Sequence, residues 1–263
     1  MWSLRASATI LCLAGCANSD PLTGGAGGAS TGGTGSGASS SDGGSTNVST
    51  SSSTTSTGPS CDEQPCKLVA PQCGCDEDAA CSVDGNGGRI CVVAGTVQPG
   101  QICDANNYCA PGSVCVGYTD GETTCAEFCN SDVECTAPGG KCVLPLTGAP
   151  TVMLCSENCE LVTSQGCPLA NSSCQIGVTA SDEPYTLCVP SGAGVEQSVC
   201  ADSSECAPGF TCLPTTANDS RCFEWCNVNG GSCPINESCL GLEISTGVPL
   251  VIGNVTYGVC NPN

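Results

Sequence analysis

The groups in this chain that could do chemistry are 28 cysteines and 25 acidic residues, set among 263 residues with five basic residues and no histidine. The missing imidazole removes Ser-His-Asp and Cys-His nucleophile systems together with His-ligated zinc. Cysteine alone could still build an all-thiolate zinc site, but thiols in an oxidising compartment pair with one another instead. No Cys-x-x-Cys occurs, so a thioredoxin-type redox motif is absent. Cys73-Gly74-Cys75 is the single Cys-x-Cys, and two separate structural disulfides account for it better than an exchange reaction. No catalytic residue, cofactor site or metal site is assigned, and the chain is not read as an enzyme.

The carboxylates offer two further chemistries. Asp76, Glu77 and Asp78, with Asp84 and Asn86 nearby, could present hard oxygen ligands to calcium. They do not fit the EF-hand loop, which requires Asp-x-Asp/Asn-x-Asp/Asn-Gly and a closing glutamate, so a solvated acidic face is the better reading. Paired carboxylates also hydrolyse glycosides, but that needs a substrate cleft, and only eight aromatic residues follow Cys16. The formal charge is −20, and losing Arg5 with a leader would leave four basic residues against 25 acidic ones. That balance lacks the basic footprint of a nucleic-acid binder. The remaining ligand-contact candidates are Glu127 with Phe128 and Glu224 with Trp225, the only repeated side chains of any size outside turns. Their alternative role is architectural, with each ring packed on a disulfide and each glutamate on the opposite, wet face of a strand.

Those four residues sit at the ends of a duplicated stretch. Cys103 to Cys129 and Cys200 to Cys226 both run C-x5-C-x5-C-x9-C-x3-C, and ten of their 27 positions are identical. Shared with the cysteines are Ala110-Pro111-Gly112 and Ala207-Pro208-Gly209, where Pro presets the first central position of a turn and Gly accepts positive φ at the second. A C-x5-C-x9-C core occurs a third time at Cys75, Cys81 and Cys91. Each x9 interval carries a turn signal between strand-like runs and reads as a β-hairpin. A second pattern, C-x3-C-x(5–7)-C-x(5–6)-C-x(12–20)-C, starts at Cys125, Cys155 and Cys222, and its long last interval also reads as a hairpin. No segment has a sustained 3.6-residue apolar period with caps, so helix should be scarce.

The 26 cysteines from Cys61 to Cys260 are an even set, as 13 disulfides require. Two linkers of eleven residues, after Cys91 and after Cys188, place module boundaries near residues 95 and 193. The modules are then 61–94, 95–193 and 194–263, holding six, twelve and eight cysteines. Each count is even, so each module can close its own disulfides. Contacts between modules should then be small, and residues 194–263 should fold alone. The expected fold is a small disulfide-rich, mainly β chain of short hairpins with extensive coil, carried as repeated cysteine modules on a disordered N-terminal tether.

The first sixteen residues, MWSLRASATILCLAGC, join one basic residue to a short apolar run. Leu13-Ala14-Gly15-Cys16 resembles the lipobox of bacterial lipoproteins. The resemblance implies a signal peptide over 1–15 and a diacylated, N-terminal Cys16. The apolar run falls short of the ~20 residues that a spanning helix needs. Residues 16–60 then form a Gly/Ser/Thr-rich tether that cannot bury enough apolar surface to order itself. Its reach is roughly 35–40 Å from a random-coil estimate.

From that lipobox through the stalk to the C-x5-C-Ala-Pro-Gly-x-x-C blocks, the chain is similar to cysteine-rich lipoproteins of the myxobacterial kind, a group that implies no agreed activity. Ala17 differs from the aspartate that holds some lipoproteins in the inner membrane, which points to the outer membrane. The expected function is that of a lipoprotein anchored in the cell envelope or at its surface, with a non-catalytic role in binding, adhesion or structure. Its partners would be the membrane, through lipid on Cys16, and an extracellular or envelope protein or glycan. The alternative is a secreted, disulfide-rich protease inhibitor, since clamped loops cost little entropy to bind. Five Asn-x-Ser/Thr sequons begin at Asn47, Asn171, Asn218, Asn236 and Asn254.

Overall fold

The computed structural model describes residues 61–117, 122–215, 219–230, 233–245 and 247–262. All 26 cysteines of this region are paired, in 13 disulfides. Twelve of them belong to one device used six times. In each unit of four cysteines the first bonds the third and the second bonds the fourth. The units are 66/75/81/91, 103/109/115/125, 129/135/142/155, 159/167/174/188, 200/206/212/222 and 226/233/239/260. The thirteenth bond, Cys61–Cys73, adds a loop to the first unit only.

The third and fourth cysteines of every unit lie on the two strands of a hairpin, directly opposite each other, yet are never bonded to each other. The opposed pairs are Cys81 and Cys91, Cys115 and Cys125, Cys142 and Cys155, Cys174 and Cys188, Cys212 and Cys222, and Cys239 and Cys260. Each opposed sulfur instead reaches back to an earlier cysteine of its own unit. The two patterns in the sequence are therefore one structure with different spacings.

Unit 1 contains β1 (Ala79–Val83) and β2 (Arg89–Val93). Unit 2 contains β3 (Ser113–Gly117) and β4 (Thr123–Cys129), and unit 3 contains β5 (Cys142–Leu146) and β6 (Ala149–Cys155). Unit 4 contains β7 (Ser172–Val178) and β8 (Pro184–Pro190), and unit 5 contains β9 (Phe210–Pro214) and β10 (Ser220–Asn227). Unit 6 opens with β11 (Glu237–Gly241). Its longer hairpin carries β12 (Glu243–Ser245), β13 (Val248–Pro249) and β14 (Val251–Ile252) before closing with β15 (Val255–Pro262). The only helical turns among the described residues are two 3-10 turns, at Asp132–Glu134 and Ser203–Glu205.

A larger duplication lies over the six units. Units 2 and 3 form one antiparallel sheet in the order β3-β4-β6-β5, and units 5 and 6 form its counterpart, β9-β10-β15-β11, while β1-β2 and β7-β8 stand as separate hairpins. Units 1 to 3 thus repeat as units 4 to 6. Cys66-Lys67-Leu68-Val69 corresponds to Cys159-Glu160-Leu161-Val162. Gly74 and Gly166, each just before a second cysteine, have φ of 90° and 99°. A Cβ there would lie 2.8 Å and 3.0 Å from the Cα of Cys66 and Cys159, so both positions demand glycine twice over.

The eleven-residue linkers are bonded onto the unit that follows. Gly95 N–H donates to Cys109 O and Gly192 N–H to Cys206 O, at 3.0 and 2.9 Å. Ala110 N–H then donates to Val97 O and Ala207 N–H to Gly194 O, at 2.8 and 2.7 Å. The Ala-Pro-Gly turns form as the sequence requires, with φ of 93° at Gly112 and 85° at Gly209. Gly112 faces Ala70 of unit 1, and Gly209 faces Val162 of unit 4.

Every disulfide closes inside 61–91, 103–188 or 200–260, and none crosses between these stretches. The apolar packing does cross them, so the expected small contacts between modules are not found. One cluster joins Leu68, Val69 and the Cys66–Cys81 disulfide of unit 1 to Phe128 and Leu154 of units 2 and 3. The other joins Leu161 and the Cys159–Cys174 disulfide of unit 4 to Leu213, Phe223, Trp225, Leu242, Leu250, Tyr257 and Val259. The physical reason is area. A four-cysteine hairpin has one apolar face and too little chain to cover it, so the face is buried on the neighbouring sheet.

Candidate functional site

Phe128 and Trp225 occupy equivalent places at the centres of these two clusters. Phe128 on β4 lies opposite Leu154 of β6, and Trp225 on β10 lies opposite Val259 of β15. The rings are 3% and 2% exposed, so both Phe128 and Trp225 serve the packing of the core. Each shares its cluster with the first-to-third disulfide of the preceding unit. The glutamates beside them are not on a fully wet face. Burial holds the carboxyl pKa of Glu127 above the ordinary value, and burial with the nearby Glu196 and Glu237 does the same for Glu224. Glu196 accepts the backbone N–H of Glu224 at 3.0 Å, so this carboxylate braces the linker against β10. Glu127 and Glu224 lie in different halves of the duplication and do not build a joint site.

The indole Nε1 of Trp225 is buried without a hydrogen-bond partner. Such a group costs about 1–3 kcal/mol. Trp225→Ala is expected to cost about 3–5 kcal/mol, the usual loss for a buried large aromatic. Trp225→Phe should cost much less, because the orphan N–H leaves with the indole and the counterpart position already works with Phe128. Urea unfolding followed by far-UV circular dichroism, with disulfides intact, measures both. A Trp225→Ala variant within about 0.5 kcal/mol of the parent, like an ordinary surface substitution, would reject the core assignment.

The calcium reading of the acidic residues finds a structural use for Asp84. Its Oδ1 accepts the N–H groups of Asn86 and Gly88, each at 2.8 Å, and so builds the tip of the first hairpin. Asp76, Glu77 and Asp78 are exposed. Three sulfurs of each of units 1 to 5 lie within 4.8 Å of one another, as a thiolate metal centre would place them. They belong to two disulfides stacked side by side, and a disulfide sulfur is not a thiolate ligand. In units 2, 3 and 5 these stacks form small buried clusters of their own, with Val97, Met153 and Phe210 packed against them.

A cleft of about 50 Å³ lies between unit 1 and the sheet of units 2 and 3, over Phe128 and rimmed by Glu63 and Arg89. A second, of about 10 Å³, lies among Leu213, Phe223, Leu240 and Val259. Both have room for a water or two and fall far below the ~300–1,000 Å³ of sites that enclose small molecules. Of the basic residues, Arg89 pairs with Glu63 inside unit 1, and Arg221 pairs with Asp219 at 2.7 Å in unit 5. Lys141 reaches both Asp132 of unit 3 and Glu183 of unit 4, at 3.3 and 2.6 Å, and so ties the two halves of the duplication together. Its carboxylate neighbours raise the Lys141 pKa, while the Cys142 N–H and Lys141 lower that of Asp132.

The larger surface features are strand edges. Asn171, Asn236 and Asn254 of the sequons are exposed at turns, while Cys16, Asn47 and Asn218 lie outside the described residues. No family model, curated protein or solved structure matches this chain. Sequence reasoning missed the Cys-x-Leu-Val pair at Cys66 and Cys159, although the two motifs stand in the text of the chain. They supply the residues that cover Phe128 and Trp225.

Proposed function

We propose that the chain is a lipoprotein of the cell envelope or cell surface, acylated at Cys16 and held off the membrane by residues 17–60. The head carries no catalysis and serves binding, adhesion or envelope structure. Thirteen disulfides belong to an oxidising, extracytoplasmic compartment. The observation that carries the reading is that all 26 cysteines from Cys61 to Cys260 are bonded to one another, which leaves Cys16 only Cys12, within the expected leader, as a possible partner. A lone cysteine after Leu13-Ala14-Gly15 is where a lipobox would place the acylated residue. Among the described residues no helix is long and apolar enough to cross a membrane. Two acyl chains on Cys16 would supply the two-signal anchoring that stable attachment requires.

Mass spectrometry of the membrane-extracted protein is expected to find an acylated N-terminal Cys16, and Cys16→Ser should leave the membrane fraction or accumulate with residues 1–15 still attached. An unmodified Cys16 in the isolated protein, or unchanged membrane partitioning of Cys16→Ser, would reject the anchor.

A further inference from the structure

The junction between units 3 and 4 shows how one three-unit half receives another. In the β7–β8 hairpin the backbone groups of Thr186 and Cys188 point away from β7. Thr186 N–H donates to Gly139 O at 2.9 Å, and Cys188 N–H to the Glu157 carboxylate at 3.4 Å. Thr186 Oγ1 donates to Glu157 O at 2.7 Å, and Asn158 holds the loop in place through Gly139 N–H at 2.9 Å and Ala137 O at 3.1 Å. The outer edge of β8 is therefore covered by the loop between the second and third cysteines of unit 3, with the segment just after its fourth. No residue of β8 is exposed.

The counterpart of β8 is β2, in the same register: Arg89 faces Val83 as Thr186 faces Ile176, each two residues before the fourth cysteine. Asp84 N–H bonds Gly88 O, and Ala94 N–H bonds Asp78 O. The alternation of the ladder then turns the N–H groups of Arg89, Cys91 and Val93 outward. None of them has a partner among the described residues. Four of the five residues of β2 are exposed, with Ile90, Val92 and Val93 at 40%, 37% and 70%. This is an open, apolar strand edge, the kind that templates pairing with another chain.

The other half of the same junction stands open at the far end. The loop of unit 6 that corresponds to the covering loop of unit 3 lies between Cys233 and Cys239, and its Ile235 is 92% exposed. Glu237 N–H bonds Pro234 O, so Ile235 is held out on a tight turn between two disulfides. We infer that copies of this chain associate head to tail, the Cys233–Cys239 loop of one copy covering the β2 edge of the next as unit 3 covers unit 4. The side chains differ from the internal junction, with Ile235 against the apolar β2 edge that carries Val93 where Gly139 meets Thr186. An interface of this kind is heterologous, so it extends into a chain or closes into a ring. A charge of −20 on each copy opposes association, which makes salt a promoter of it.

Sedimentation velocity on the full chain carrying Cys16→Ser tests this without any lipid and independently of the anchor. Species larger than monomer are expected to grow with protein concentration, and more so at ~1 M than at 0.15 M salt, where the Debye length falls from ~8 to ~3 Å. Val93→Asp and Ile235→Asp change exposed side chains, and each should sediment as monomer alone. Their equimolar mixture should recover a dimer and nothing larger, because each variant keeps the face that the other has lost. A parent that stays monomeric at both salt concentrations would overturn the inference, as would either variant assembling like the parent or a mixture that remains monomeric.

Discussion

Reduction of the thirteen disulfides is expected to abolish the fold of the described chain. Three of its five buried clusters are little more than stacked cystine: Cys103, Cys109 and Cys125; Cys129, Cys135 and Cys155; and Cys200, Cys206 and Cys222. Without the bonds those clusters vanish and the two sheets keep only the larger clusters, which themselves include the Cys66–Cys81 and Cys159–Cys174 disulfides, while β1-β2 and β7-β8 fall back to two-stranded hairpins that are marginal in water. In the chain-entropy view a loop of ~15 residues contributes about 3 kcal/mol, and twelve of the sequence separations fall between 12 and 21 residues. Overlapping loops share part of that effect. Even a third of the sum still exceeds most of the ~5–15 kcal/mol by which a domain is stable.

Far-UV circular dichroism and limited proteolysis before and after reduction and alkylation are expected to show loss of β signal and cutting in every unit. A reduced, alkylated chain that keeps a cooperative urea transition would contradict this. Before reduction, thiol labelling of the unfolded chain should find no free thiol between Cys61 and Cys260. Peptide mapping should then return first-to-third and second-to-fourth bonds in each unit. A bond between an opposed pair such as Cys81 and Cys91 would refute the repeated device.

The hairpins could be read from the chain because turn residues and cysteine spacing are local. Asp120-Gly121 and Asn218-Asp219 sit midway between cysteines that must lie on paired strands. The Ala-Pro-Gly turns were equally open to reading, since Pro111 and Gly112 each favour one backbone region. Pairing was not, because four cysteines allow three connectivities and spacing does not choose among them. Strand opposition even misleads here: Cys115 and Cys125 face each other across a ladder, yet each closes a loop elsewhere. The buried fate of Phe128 and Trp225 was foreseeable as packing on a disulfide, but which disulfide was not. The covering residues lie about sixty residues upstream, at Leu68 and Leu161, and no local pattern links them to the ring.

A fragment of residues 157–263 is therefore expected to oxidise to one isomer, whereas residues 194–263 should not. The shorter piece holds every partner of its eight cysteines, which is why cysteine parity favours it. Parity counts bonds and ignores faces. Removing unit 4 takes away Leu161 and the Cys159–Cys174 and Cys167–Cys188 disulfides, which pack on the same cluster as Leu213, Phe223 and Trp225. It also removes Val162, against which Gly209 is set. Each large side chain returned to water costs about 1.5–3 kcal/mol, so uncovering part of three of them consumes much of the stability of so small a piece. Eight cysteines allow 105 connectivities, and a fragment without its covering face has little to select one.

The longer fragment loses the bonds of Asn158, Thr186 and Glu183 to unit 3, at the edge of the hairpin rather than in its cluster. Reversed-phase separation after glutathione-buffered refolding should resolve a single dominant species for 157–263 and a family of isomers for 194–263. Hydrogen exchange should show β15 of the longer fragment protected as in the whole chain, since Tyr257 and Val259 remain covered. One native-like isomer from 194–263, with that protection intact, would show that unit 4 is not part of the folding unit. The duplication of units 1 to 3 as units 4 to 6 would then describe how the chain repeats without describing how it folds.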